Sequence, residues 1–159
     1  MVTIIKETNK ELNKNIILKE LHLQKKSIKV KVNNITEPRL SRNKEEEYIY
    51  LDIEILEDFK GRFQDDNKIE NIKNNIIGFP FTLNKSYEGN YKITKGKNIF
   101  SILNYALIKK GMIPEGNKNG FLISYDELKE ALSDLEFKAI STLVKSNSFN
   151  NYLKLDVKE

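Results

Sequence analysis

The sequence predicts a mainly β fold with one or two short helices, and an α+β fold is the alternative. Apolar and polar side chains alternate over residues 28–33 and again over residues 48–56, which is the period-2 pattern of strands with one buried face. In the second segment one face carries Ile49, Leu51, Ile53 and Ile55, and the other carries Tyr48, Tyr50, Asp52 and Glu54. Both segments are therefore expected to be half-buried strands.

The connections around these strands are predicted from periodicity and turn residues. Residues 7–26 are compatible with a helix or a strand, because their apolar residues fall at helical spacing while Leu21 and Leu23 also alternate. Residues 36–47 contain few apolar side chains, which indicates a solvated loop between the two strands. Residues 64–75 form either a short helix or a loop.

The second half of the chain is predicted to contain an edge strand, two helices and a hairpin. The expected segments are a strand at 78–83, helices at 96–110 and 124–132, and a terminal hairpin formed by 135–144 and 149–157 with a four-residue loop. Pro80 has no N–H to donate to a ladder, which favours an edge position. Gly111 would end the first helix, and Ser124 and Glu127 have the spacing of a capping box.

Length and composition restrict the class of protein. The 159 residues suit one domain, which we place at residues 27–159 behind an N-terminal arm, or extra strand or helix, of residues 1–26. The absence of cysteine excludes disulfides, thiolate zinc sites and cysteine nucleophiles, and the single histidine excludes sites with two imidazoles. No apolar run approaches the roughly 18 residues of a membrane span. The N-terminus lacks the apolar core of a signal peptide, so a cytoplasmic location is expected.

Charge is unevenly distributed along the chain. The net charge is +4, with +7 over residues 1–44, −7 over 45–66, +6 over 67–118 and −2 over the remainder. The two basic blocks could form one positive groove, which is the arrangement that an anionic strand requires.

The order of these elements resembles a known class of small barrels. Two strands joined by a charged loop, with a helix before a terminal hairpin, suggest a small OB-like Greek-key barrel with one or two inserted short helices. Residues 29–63 resemble the first two strands of such barrels in single-strand binders of replication type. Residues 96–111 and 123–155 resemble small phage and archaeal replication-associated proteins. The resemblance implies binding of single-stranded nucleic acid without catalysis, through cationic side chains and exposed aromatic rings.

The two predicted strands offer such a surface. If their apolar sides face together, Lys29 and Lys31 project on the same side as Tyr48 and Tyr50, so that cations lie beside rings on which bases can stack. Asp52 and Glu54 share that side. The alternative is that these lysines and carboxylates form ordinary cross-strand ion pairs.

Further candidates come from the predicted loops, because inter-strand loops flank the ligand groove of OB barrels. Arg39 and Arg42 lie in the loop between the strands, Lys60 and Arg62 lie at the far turn, and a later cluster contains aromatic and basic residues. The complete set of predicted nucleic-acid-binding residues is Lys29, Lys31, Arg39, Arg42, Tyr48, Tyr50, Lys60, Arg62, Tyr91 and Lys95. Phe59 and Phe63 flank the far turn, and one of them is expected in the core.

Single-stranded DNA is the expected partner, with RNA as an alternative, and replication or recombination proteins are candidate protein partners. No cofactor and no enzymatic activity are expected.

A phosphate-binding loop is rejected because Gly89 and Gly96 are separated by six residues instead of four and Asn98 replaces the Ser or Thr. One enzyme alternative is a magnesium-dependent nuclease in which Asp52, Glu54 and Lys60 act together. A third alternative is a protein interaction domain that uses apolar faces of residues 12–23 and 99–107.

Overall fold

The computed structural model describes residues 14–42, 46–62, 69–145 and 151–158. Its helices are α1 (Lys14–Gln24), α2 (Phe100–Lys109) and α3 (Tyr125–Leu132). Its first five strands are β1 (Ile28–Ile35), β2 (Arg39–Leu40), β3 (Glu46–Ile55), β4 (Lys60–Arg62) and β5 (Ile69–Asn71). The others are β6 (Ile76–Lys85), β7 (Asn90–Ile93), β8 (Phe121–Ser124), β9 (Glu136–Val144) and β10 (Tyr152–Val157). The prediction of a mainly β fold is confirmed.

Most strands belong to one antiparallel sheet. Its order is β10-β9-β1-β3-β6-β7-β8, β2 pairs with the outer part of β3, and β4 and β5 form a separate two-stranded ribbon. β1 joins the two halves of the sheet because it pairs with β9 along residues 28–31 and with β3 along residues 30–35. A register shift between Val32 and Asn34 interrupts the second pairing, as a β-bulge does.

The alternating segments form the predicted strands, and their apolar faces form the core. All four apolar residues of β3 are almost fully buried, namely Ile49, Leu51, Ile53 and Ile55. The apolar residues at the start of β1 are equally buried, namely Ile28, Val30 and Val32. The period-2 pattern therefore identified the buried faces correctly.

The sequence of the first described segment was compatible with a helix or a strand, and in the structure this segment is the helix α1. Ile17, Leu18 and Leu21 of α1 are buried, and α1 lies against β9, β10 and β4. Leu23, whose alternation with Leu21 suggested a strand, is exposed to solvent. Of the predicted arm at residues 1–26, the part that the structure describes is thus an amphipathic helix docked on the sheet. Nowhere in the described ranges is a helix long and apolar enough to cross a lipid bilayer.

Two predicted loops contain short strands. Within residues 36–47, Arg39 and Leu40 extend the sheet by pairing with the start of β3. Residues 69–71, predicted as helix or loop, form β5 and pair with β4. The side chain of Asn71 fixes this ribbon, because its Oδ1 accepts a hydrogen bond from the backbone N–H of Phe59 at 3.2 Å. Gly61 of β4 allows close approach to α1, since a Cβ there would lie 2.7 Å from Ile17 Cδ1.

Residues 78–83 were predicted to form an edge strand. This is wrong for the side of β6 that faces β3, and correct for the opposite side. β6 pairs with β3 along residues 76–84, but with β7 only at Asn84 and Lys85. Pro80 lies opposite Tyr50, whose backbone N–H and C=O both bond to Thr36 instead of β6. The pair is therefore one of the non-hydrogen-bonded positions of the ladder, and the missing N–H of Pro80 costs no bond to β3.

The two helices and the hairpin predicted for the second half are present, although α2 begins at Phe100 instead of residue 96. α2 ends before Gly111, which has φ +70°, and β9 and β10 pair antiparallel. The second hairpin strand is described from Tyr152, and the predicted start at residue 149 and most of the predicted loop lie outside the described residues. Ser124 Oγ accepts the backbone N–H of Glu127 while Glu127 Oε1 accepts that of Ser124, so the predicted capping box is confirmed.

We expect Ser124→Ala to lower the free energy of unfolding by about 0.5–2 kcal/mol, because it leaves the first turn of α3 without its side-chain acceptor. Ser86→Ala is the control, since Ser86 precedes a short 3-10 turn and makes no side-chain cap bond. Urea titration followed by circular dichroism measures both values. Equal losses for the two variants would contradict the role assigned to the capping box.

Candidate nucleic-acid interface

The outer face of β3 continues across its neighbouring strands as a ladder of side chains. Arg39 of β2 and Thr82 of β6 flank Tyr48 in register, and Pro80 lies opposite Tyr50. Directly opposed residues of antiparallel strands present their side chains on the same face. These five residues are exposed or half-buried, and together they form a continuous surface that we call the aromatic patch.

The tyrosine backbone in this patch is held in place by Thr36. Thr36 Oγ1 accepts the N–H of Tyr50 at 2.9 Å, and the N–H of Thr36 donates to the carbonyl of Tyr50 at 3.1 Å. The hydroxyl of Tyr125 in turn donates to the carbonyl of Thr36 at 2.9 Å. The rings of Tyr48 and Tyr50 are T-shaped, with centroids 6.0 Å apart, and Tyr50 is 40% exposed. The patch thus places two neighbouring rings and the cation of Arg39 on one face, the combination that base stacking beside a phosphate requires.

The other half of the same face is acidic. Asp52 and Glu54 continue β3 beyond Tyr50, and each carboxylate accepts a hydrogen bond from an asparagine of the β1 bulge. Asn34 Nδ2 donates to Asp52 at 3.1 Å and Asn33 Nδ2 donates to Glu54 at 2.9 Å. Two carboxylates repel phosphate, which disfavours this end of the face. The other end holds Arg39, and the half-buried Glu46 also lies there on the outward face of β3.

Lys29 and Lys31 lie on the predicted face but not beside the tyrosines. Lys29 Nζ is 3.4 Å from Glu136 and Lys31 Nζ is 3.9 Å from Asp134, so both pair with residues in or just before β9. Lys31 lies opposite Glu54 in the ladder, and that position is four residue steps along β3 from Tyr50, a distance of about 13 Å. The lysines form ion pairs, as the alternative expected, with partners that the sequence did not indicate.

The predicted loop cations fall into two separate groups. Arg42 is exposed in the turn after β2 and belongs to the same end of the sheet as Arg39. Lys60 and Arg62 belong to β4, beyond the opposite end of β3, where Gln24 Nε2 of α1 donates to the carbonyl of Lys60 at 3.2 Å. The structure therefore places Arg39 opposite Tyr48 and Arg42 at the same end of the sheet, whereas Lys60 and Arg62 of the far turn lie near α1.

The later cluster of aromatic and basic residues, which supplied Tyr91 and Lys95, is also divided between two environments. Tyr91 is only 7% exposed, and its hydroxyl donates to Glu47 Oε2 at 2.6 Å, so its ring is not part of an accessible surface. Burial first, and then the hydrogen bond to the negative Glu47, raise the pKa of Tyr91 above its ordinary value. Lys95 is exposed in the loop after β7 and is two strands away from β3 in the sheet.

The raised pKa of Tyr91 predicts a pH-dependent contribution to stability. The folded state holds this proton more tightly than the unfolded state, so the contribution is complete below about pH 10 and declines as the pH rises further. We expect Tyr91→Phe to be destabilised relative to the parent protein at about pH 7, and this difference to shrink above about pH 10. Denaturant midpoints at both pH values measure it, with Tyr105→Phe as the control. A difference that is independent of pH would contradict the prediction.

Sequence reasoning missed two members of the aromatic patch, Pro80 and Thr82. Their segment was recognised as a strand, but its neighbour was not, so their position opposite Tyr50 and Tyr48 could not be derived. The available signal was alternation within residues 77–83, where apolar side chains occupy the odd positions and point to the core. The even positions were therefore identifiable as outward-facing.

The residues of the nuclease alternative are not assembled into one cluster. Asp52 and Glu54 lie two residues apart on β3, whereas Lys60 is in the ribbon beyond the end of that strand. Within the described ranges there is no group of three or more His, Cys, Asp or Glu side chains with the spacing of a metal site. The nuclease alternative remains a hypothesis without a geometric argument in its favour.

Comparison of the chain with models of protein families, with curated proteins and with solved structures gave no match. A function for the protein therefore has to be inferred from the geometry of the sheet and its surface.

Proposed function

We propose that the protein binds single-stranded nucleic acid, DNA in the first instance, through the aromatic patch. The observation that carries the proposal is the arrangement of Arg39, Tyr48 and Tyr50 on one outward face, where Arg39 lies opposite the half-buried Tyr48 and the exposed ring of Tyr50 lies next to that of Tyr48. Stacking on aromatic rings and neutralisation of phosphates are the two interactions by which proteins bind single strands without reading their sequence. Catalysis is not part of the proposal.

The strand order supports an OB-like Greek-key barrel as the scaffold. β1, β3 and β6 are successive neighbours, and β9 returns after α2 and α3 to lie on the other side of β1. In a Greek key the fourth strand lies beside the first; here β7 and β8 come between β6 and β9, so the likeness lies in the return of a late strand to β1, and the described strands run as an open series from β10 to β8. In OB folds, the face of the second and third strands binds the oligonucleotide, and β3 and β6, which carry the aromatic patch, occupy those positions.

Fluorescence anisotropy of a labelled oligothymidine at about 50 and 200 mM salt tests the proposal. We expect binding that weakens as salt rises and that exceeds binding to a matching duplex. An RNA of the same length separates DNA preference from general single-strand binding. Shortening of the oligonucleotide in the presence of magnesium would instead favour the nuclease alternative. Absence of binding at the lower salt would contradict the proposal and leave a protein partner as the working hypothesis.

Arg39→Gln should reduce the salt dependence of that binding. Loss of one phosphate contact is expected to lower the magnitude of the slope of log K against log salt by about 0.7. Lys118→Gln, which removes an exposed cation in the connection between α2 and β8, is the matched control. An unchanged slope for Arg39→Gln would remove this residue from the interface.

A further inference from the structure

A gap in the outer face of the sheet lies beside Gly78 of β6. Gly78 lies opposite Asp52 of β3 and is the diagonal neighbour of Tyr50. A Cβ at this position would lie 3.3 Å from Asp52 Oδ1 and 3.5 Å from Tyr50 Cδ1. Apart from the chain neighbours of Gly78, no other atom in the described ranges would come within 4 Å of it. We call this gap the Gly78 notch.

The Gly78 notch brings a carboxylate oxygen close to the most exposed ring of the aromatic patch. Because Asp52 Oδ1 and Tyr50 Cδ1 both lie within 3.5 Å of one point, they are at most about 7 Å apart. Tyr50 is 40% exposed and Gly78 is also exposed, so a ligand can reach the notch from solvent. A base stacked about 3.5 Å from the ring, with a hydrogen bond of about 2.9 Å from its edge, spans a gap of this size.

The carboxylate of Asp52 is held with one oxygen directed at the notch. Asn34 Nδ2 donates to Asp52 Oδ2 at 3.1 Å and approaches from β1, the neighbour of β3 on the side away from β6. In the described part of the chain, Asp52 Oδ1 accepts no hydrogen bond. An ionised carboxylate only accepts hydrogen bonds, so this oxygen suits a ligand group that donates one.

The glycine itself is a second observation that points to a ligand. Glycine inside a strand weakens the sheet, and it often marks a place where a ligand or another backbone approaches closely. The ring of Tyr50 partly covers Gly78, and aromatic rings stabilise some strand glycines in this way. That contact accounts for the position of the ring but not for the free carboxylate oxygen directed at the same point. A ligand in the notch accounts for both.

We propose that Asp52 selects the base that stacks on Tyr50, and that it favours bases with an exocyclic amino group over thymine and uracil. This inference rests on the proposed binding of single strands by the aromatic patch. Cytosine presents its N4 amino group as a donor at the position where thymine presents the O4 acceptor. The cytosine amino group donates to Asp52 Oδ1, whereas O4 of thymine faces the carboxylate with no proton between the two oxygens.

The charges along β3 agree with this orientation of the base. Arg39 lies opposite Tyr48, which is on the other side of Tyr50 from Asp52. A phosphate that contacts Arg39 and a base edge that contacts Asp52 are therefore on opposite sides of the stacked ring. The carboxylate that disfavours a phosphate at this end of the face thus suits the amino edge of a base.

Anisotropy titrations with two labelled strands of equal length, oligodeoxycytidine and oligothymidine, test the inference at constant salt. Both are pyrimidine strands with the same number of phosphates, so the ratio of their Kd values reports on the bases. We expect oligodeoxycytidine to bind about tenfold more tightly. Equal Kd values would overturn selection by Asp52 and leave the proposed function intact. Absence of binding to both strands would overturn both proposals.

Asp52→Asn should abolish the preference for cytosine. The variant side chain has nearly the same size, but its amide donates as well as accepts and so serves thymine O4 equally. Glu54→Gln is the matched control, because it removes the same charge at the next outward position of β3, opposite Ile76. Either substitution removes repulsion of phosphates and raises the affinity for both strands, so the ratio is the readout. A preference that survives Asp52→Asn, or that Glu54→Gln also abolishes, would contradict the role of Asp52.

Gly78→Ala gives a test that leaves the carboxylate in place. The new methyl group fills the notch, and the backbone accepts it because Gly78 does not have a positive φ. We expect the preference for cytosine to fall while the thermal midpoint stays the same or rises, since alanine restricts the unfolded chain more than glycine does. An unchanged preference in this variant would exclude the Gly78 notch as the place where the base is recognised.

Discussion

Replacement of Tyr48 and Tyr50 with alanine is expected to weaken oligothymidine binding by about 1–3 kcal/mol for each ring that stacks on a base. This corresponds to an increase in Kd of about fivefold to more than a hundredfold for each ring. Tyr50 should have the larger effect, because its ring is the more exposed of the two. Anisotropy at constant salt measures the change, and the slope against salt should stay the same because no cation is removed.

Two further variants separate stacking from other causes of lost affinity. Tyr50→Phe keeps the ring and should bind like the parent protein, since stacking does not require the hydroxyl. Tyr105→Ala removes a ring of similar exposure from α2 and should have no effect. An unaltered thermal midpoint in the alanine variants shows that the fold is intact. Full affinity after loss of both tyrosines would exclude the aromatic patch as the binding surface.

Phe59→Ala is expected to lower the free energy of unfolding by about 3–5 kcal/mol, the largest single effect on stability predicted for this chain. Phe59 is only 2% exposed and immediately precedes β4. Its carbonyl accepts the N–H of Ile72, which is also buried, at 2.8 Å. Loss of the ring would leave a cavity beneath the β4–β5 ribbon and weaken its attachment to α1.

The matched control for this variant is Ile69→Ala, at an exposed position of β5 in the same ribbon. Its effect should be within about 0.5 kcal/mol, because surface substitutions away from special features change stability little. Guanidinium titration with a common m value compares the two variants. Similar losses at both positions would contradict the assignment of Phe59 to the core.

The question of which far-turn aromatic belongs to the core was answered in part. The sequence placed one of Phe59 and Phe63 there without distinguishing them, because both flank the same turn. The structure buries Phe59, and Phe63 lies outside the described residues. Phe59 is buried as a member of a core that includes residues distant in sequence, such as Ile17 and Ile72, and this tertiary arrangement is not visible in the local sequence.

Short elements were harder to predict than long ones. β3 has ten residues, enough for several repeats of the apolar and polar pattern, whereas β5 has only three. A pattern of period 2 cannot be recognised over three residues, and β5 is a strand because β4 lies beside it. Similarly, α1 could not be distinguished from a strand until its contacts with β9 and β10 showed which face is buried.

The face on which each strand residue lies could be read from the sequence alone, because side-chain direction in a strand is a local property of the backbone. Lys31, Tyr48 and Tyr50 accordingly share the outer face, as predicted. Which side chains become neighbours on that face depends on the tertiary structure. Lys31 lies near Asp134 because β1 is in a fixed register on β3 and β9 returns to pair with β1. Arg39 lies opposite Tyr48 because β2 pairs with β3. Register and strand order come from contacts between distant segments, and no local pattern of residues encodes them.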